Sequence, residues 1–85
     1  MAQYTNFGRL VSEKLTNQGF TQEKFSNRIN RSVSYLNQTM TGVRKPSAAH
    51  VDAIADAFNL NKDERQKLHY LAAMEHGFKL DLTKK

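Results

Sequence analysis

The feature that most restricts the fold is punctuation: apolar residues recur three and four apart in short runs, with helix-starting and helix-stopping residues at the ends of those runs. In residues 6–18, Phe7, Leu10, Val11 and Leu15 make one stripe at helical spacing, and Gly19 follows it. Thr21 is a good N-cap, with Gln22 and Glu23 in the first turn and Phe25 and Ile29 as the inward face of a second helix. That helix meets neither proline nor glycine but Asn30, Arg31 and Ser32. Asparagine is the usual substitute for glycine in the left-handed conformation, so Asn30 is expected to stop the second helix and Ser32 to cap a third. The third helix spans 33–41 and ends at Gly42. After the loop "VRKPS", Ser47 caps a fourth helix with Val51, Ile54, Ala55 and Phe58 inward. Asn61 caps a fifth, with Glu64 three residues on in a capping-box arrangement, Leu68, Leu71 and Ala72 inward, and Gly77 at its end. The expected class is all-α: a compact five-helix domain over residues 1–77, with a short tail, 78–85.

A chain of 85 residues is near the lower size at which one hydrophobic core suffices. It has no cysteine, which removes disulfides and thiolate metal sites. The opening "MAQYTNFGRLVSEKL" has no long apolar run, so neither a secretion signal nor a membrane span is expected, and a cytoplasmic location is. The net charge of +5 is unevenly placed: residues 1–47 hold seven basic side chains against two acidic ones, while residues 48–85 hold six of each. The whole excess therefore lies on the half containing the second and third helices. A basic half on a small domain suits a polyanion, nucleic acid first.

The third helix shows what that half would do. With Leu36 at zero on a wheel of about 100° per residue, Met40 lies near 40° and Val33 near 60°, on a shared inward face. Ser34, Asn37, Gln38 and Thr41 lie opposite. This outward face is entirely uncharged and hydrogen-bonding, where an ordinary solvated helix would show Lys and Glu, which are better helix formers. Asparagine and glutamine pair with adenine N6 and N7, and serine or threonine contacts several base edges.

Two helices joined by a tight turn, the second with a polar face, describe a helix-turn-helix. The stretch "GFTQEKFSNRINRSVSYLNQTMTGVRKPS" resembles the core of the Cro/repressor-like (XRE) family, and "HVDAIADAFNLNKDERQKLHYLA" resembles that domain's last two helices. The resemblance covers about residues 7–77 and implies a repressor-like transcriptional regulator, similar to stand-alone phage or bacterial ones, that binds double-stranded DNA; the expected protein is a dimer or assembles as one on DNA. It implies that Val33, Ser34, Asn37 and Gln38 face the major groove. Thr21, Gln22, Tyr35, Thr41, Arg44 and Lys45 would hold the DNA backbone. The wheel agrees on Ser34, Asn37 and Gln38 and disagrees on Val33. The chain departs from the family pattern at Asn30 and Arg31, where glycine and an apolar residue are usual, and at Thr39 and Met40, where isoleucine and an acidic residue are. Val33 and Met40 would then stand in for the missing core contacts.

In "GFKLDLTKK", Phe78, Leu80 and Leu82 alternate with polar residues, a period of two that suits an extended strap or a dimer contact. His69 and His76, seven apart, lack further ligands at helical spacing, so no metal or other cofactor is expected. Neither a nucleophile–base pattern, paired carboxylates nor a phosphate loop stands out, so the chain is not expected to be an enzyme. Two other readings stay open: an antitoxin that also binds a protein toxin, and a protein-interaction module on the same fold.

Overall fold

In a computed structural model the backbone is described for residues 4–84 and the side chains for residues 4–74. Five helices follow one another: α1 (Asn6–Gln18), α2 (Gln22–Arg28), α3 (Val33–Thr41), α4 (Ala48–Phe58) and α5 (Lys62–Lys84). The starts are set by side-chain caps. The hydroxyls of Thr5, Thr21, Ser32 and Ser47 each accept from the backbone N–H three residues on, satisfying a donor that the helix itself leaves unpaired. Asn61 and Glu64 form the reciprocal capping box, Glu64 N donating to Asn61 Oδ1 at 2.8 Å and Asn61 N to Glu64 Oε1 at 3.4 Å.

The ends are equally specific. Asn30 has φ 61° and stops α2 as expected. Around it, Asn30 N donates to Asn27 O (3.1 Å) and Arg31 N to Ser26 O (2.9 Å), the paired bonds of a Schellman motif. Gly19 and Asn59 end α1 and α4 the same way. The apolar residue after each left-handed position, Phe20 and Leu60, packs back onto the core.

That core draws on every helix: Phe7, Val11 and Leu15 from α1, Phe25 from α2, Leu36 and Met40 from α3, Ile54 and Phe58 from α4, Leu68 from α5. The Phe25 and Phe58 rings stack at 4.4 Å, joining α2 to α4. Gly8 lets α1 cross α3 at backbone distance: a Cβ there would overlap the Met40 carbonyl, with Met40 Cα 2.9 Å away. Thr5 donates to that same carbonyl through both its N–H (2.9 Å) and its hydroxyl (3.2 Å). The C-terminal end of α3 is thus held by the segment leading into α1.

Two expectations are corrected. The extended tail is not extended: α5 runs through Gly77 to Lys84. A glycine inside a helix costs only about 1 kcal/mol relative to alanine and ends it only when the chain turns left-handed there. The alternation of residues 78–82 was a weak guide, because Phe78 and Leu82 are also four apart, a helical spacing. The side chains of Phe78, Leu80 and Leu82, expected at a dimer contact, lie outside the described residues, as does that of His76. The second correction is Val33, which is 41% exposed rather than packed with Leu36 and Met40. It is the first residue of α3, and helical side chains lean toward the N-terminus, so its side chain projects past the packed part of the helix.

Candidate nucleic-acid interface

The turn from α2 to α3 is short because Asn30 reverses the chain and Ser32 immediately restarts it, its hydroxyl accepting from Tyr35 N at 3.0 Å. Leu36, Thr39 and Met40 face the core, which turns Ser34, Asn37, Gln38 and Thr41 outward. Ser34 and Val33 are exposed; Asn37, Gln38 and Thr41 are half-buried, held from the sides rather than free in solvent.

What holds them are the residues expected to touch the DNA backbone. Asn37 Nδ2 donates to Gln22 Oε1 at 3.4 Å, and Gln22 Nε2 donates to the Tyr4 hydroxyl at 2.8 Å. On the other flank, Arg44 Nε donates to Gln38 Oε1 at 3.1 Å, while Arg44 N donates to Gln38 O at 3.1 Å. The Arg44 guanidinium lies over the Tyr35 ring, 5.5 Å from its centroid. Thr41 turns its hydroxyl onto Gln38 O at 3.3 Å. One side of α3 is therefore tied to the start of α2 and the other to the loop after it. Lys45 is exposed in that loop, beside the buried Pro46. Thr21 is spent on capping α2, accepting from Lys24 N at 3.1 Å. Arg28 sits over the Phe20 ring at 5.8 Å, and Arg31 is exposed at the turn, its guanidinium donating to Asn30 O at 3.3 Å.

Behind the outward face lies a contact that the sequence did not disclose. His50 of α4 and Thr39 of α3 are both buried, with His50 Nε2 3.1 Å from Thr39 Oγ1. Thr39 gives its own proton to Leu36 O at 2.7 Å, so toward His50 it accepts, and Nε2 carries the ring proton. His50 Nδ1 is buried with no hydrogen-bond partner. The His50 pKa is lowered to about 4, first by burial and then by the positive charge of Arg31. The Tyr35 ring packs edge-on against the imidazole at 4.7 Å. The available signal was position: His50 lies four residues before Ile54 and so on the inward side of α4. Thr39 stood out only as a departure from the family pattern.

His69 serves the fold. Its Nε2 lies 2.7 Å from Asp52 Oδ1, and Arg65 bridges Asp52 and Asp56, so this network ties α5 to α4. The His69 hydrogen bond is the first cause that holds the Asp52 carboxyl below its usual range. Lys14 reaches Glu64 at 3.0 Å, tying α1 to α5 and lowering the Glu64 pKa. Among the described residues there is no group of three or more His, Cys, Asp or Glu placed to hold a metal, and no helix long and apolar enough to cross a membrane.

A family model and a curated relative both carry the same motif. The helix-turn-helix domain family matches residues 8–68. The chain is 38% identical over 58 residues to the uncharacterized HTH-type transcriptional regulator YazB of Bacillus subtilis (strain 168), an overlap of 68% of this chain and 84% of the relative. No solved structure matches at a significant level.

Proposed function

The chain belongs to the helix-turn-helix domain family, and we propose that it is a transcriptional regulator that reads the major groove of double-stranded DNA with α3. The observation that carries this reading is the outward face of α3: the hydrogen-bonding side chains of Ser34, Asn37, Gln38 and Thr41, with Val33 exposed at the tip, flanked by the basic side chains of Arg31, Arg44 and Lys45. Val33, Ser34, Asn37 and Gln38 are assigned to base edges, with Val33, exposed at the tip, suited to a thymine methyl. Thr21, Gln22, Tyr35, Thr41, Arg44 and Lys45 are assigned to the sugar–phosphate backbone. Gln38 keeps its amide N–H₂ and one oxygen lone pair free beyond the Arg44 bond, enough for a bidentate contact to adenine. Affinity would come from the basic half and specificity from α3, so the protein works by binding rather than by catalysis.

A homodimer is part of the proposal. Two copies would place their α3 helices about 34 Å apart, on half-sites one helical turn apart. Tyr70 and Met74, four apart on α5 and 61% and 39% exposed, give α5 an apolar surface for that contact. The same surface supports the second reading, a regulator that also binds a protein partner such as a toxin.

The test is Gln38→Ala on the preferred duplex and on random duplex. A loss of about 1–3 kcal/mol on the first, with little change on the second, is expected. Equal losses on both would remove Gln38 from the base-reading set.

A further inference from the structure

The hydrogen-bond chain on the α2 side of α3 begins outside the helix-turn-helix, at Tyr4. We propose that Tyr4 is a specificity-positioning residue: through Gln22 it holds the Asn37 side chain in place toward the base that it reads. The inference rests on the reading of α3 as the DNA-reading helix.

The chain runs through two hydrogen bonds. Tyr4 Oη accepts from Gln22 Nε2 at 2.8 Å, which leaves Gln22 Oε1 pointing at α3. That oxygen accepts from Asn37 Nδ2 at 3.4 Å, so Asn37 is left with its carbonyl oxygen and one N–H for a ligand. Held by Gln22 in this way, Asn37 meets a base edge from one fixed position. Without the phenol oxygen, Gln22 loses its anchor outside the helix-turn-helix and is free to swing away from α3. Asn37 then loses its partner and samples more than one rotamer, and discrimination at that base weakens.

The fold does not depend on this hydroxyl. The Tyr4 ring packs against the core, and the neighbouring Thr5 holds Met40 O through two hydrogen bonds of its own. Tyr4→Phe keeps the ring and these bonds while removing only the oxygen that anchors Gln22. A chain of this kind acts on one base position and not on charge. It therefore predicts a signature that neither a phosphate contact nor a packing defect produces.

The experiment is binding-site selection from a randomised duplex pool with wild type, Asn37→Ala and Tyr4→Phe. It is accompanied by ¹⁵N spectra of the side-chain amides of the DNA-free proteins. Asn37→Ala identifies the base position that Asn37 reads. Tyr4→Phe should reduce discrimination at that same position about fivefold, the scale of one neutral hydrogen bond. The other positions and the salt dependence should stay unchanged, and the thermal midpoint should fall by no more than a few degrees, the loss of one part-buried hydrogen bond. In the DNA-free protein, the Gln22 and Asn37 amide signals should both shift. An unchanged preference at the Asn37 position, or an equal loss at every position, overturns the proposal. An Asn37 amide signal that ignores Tyr4→Phe overturns it whatever the DNA shows. Should wild type itself select no motif, the DNA-reading assignment falls, and the amide spectra alone then decide whether the chain from Tyr4 to Asn37 exists.

Discussion

Lowering the pH from 7 to 5 should cost this protein about 2 kcal/mol of folding stability through His50 alone. The imidazole is fully buried between α3 and α4, its Nε2 proton is directed at Thr39, and Nδ1 has no partner. A second proton would enter at Nδ1, with no acceptor to meet it and with the charge of Arg31 acting on it. The folded protein therefore protonates His50 only near pH 4, whereas the unfolded chain does so near the ordinary value of 6.5. The sign follows: above 6.5 both states are neutral and nothing is lost. Between 6.5 and 4 the unfolded state binds the proton first, and stability falls with pH. Below 4 the loss levels off. A displacement of this size corresponds to about 3 kcal/mol in full, of which about 2 kcal/mol has been lost by pH 5. The assay is urea unfolding at pH 7, 6, 5 and 4, with His50→Gln as control, since a glutamine amide places an N–H where Nε2 stands without a titrating group. The lowered carboxyls of Asp52 and Glu64 give up their stability at lower pH, as they protonate, and they do so in both proteins. The difference between wild type and His50→Gln isolates the histidine. Parallel pH profiles of the two proteins from 7 to 5 would refute the buried neutral imidazole.

Gly8→Ala would push a methyl group into the Met40 carbonyl and should destabilise the fold by about 3 kcal/mol, as overpacked contacts do; a thermal midpoint within 2 °C of wild type, on the order of 0.5 kcal/mol, would show that α1 and α3 can separate freely. Arg44→Ala should lower the slope of log affinity against log salt by about 0.9, the release of one phosphate counterion, and should also loosen Gln38; an unchanged slope would remove Arg44 from the DNA contacts. Replacing Tyr70 and Met74 together by Lys should shift any dimer toward monomer in sedimentation, and no shift would assign the contact to another surface.

Much of this architecture is legible in the residues because helix ends are local. Asn30 stops α2, Ser32 and Ser47 cap the helices that follow, and Asn61 with Glu64 closes a capping box, each within a few residues of chain. The outward face of α3 was legible for the same reason, since Leu36 and Met40 fix the inward direction. What escaped depends on contacts between distant segments. A wheel places Val33 by angle alone and takes no account of its position at the helix tip. Thr39 and His50 each resemble a surface residue until α3 and α4 are packed together. Tyr4 carries no signal at all, because its partner Gln22 is eighteen residues away. Gly77 was misread because a glycine permits a helix end without requiring one.

The central claim is that α3 reads DNA sequence, and the most direct measurement is selection and sequencing from a randomised duplex pool at two salt concentrations. The expected result is a motif with two-fold symmetry and half-sites about one helical turn apart, bound more weakly at the higher salt. A motif-free pool with weak, salt-insensitive binding would contradict it.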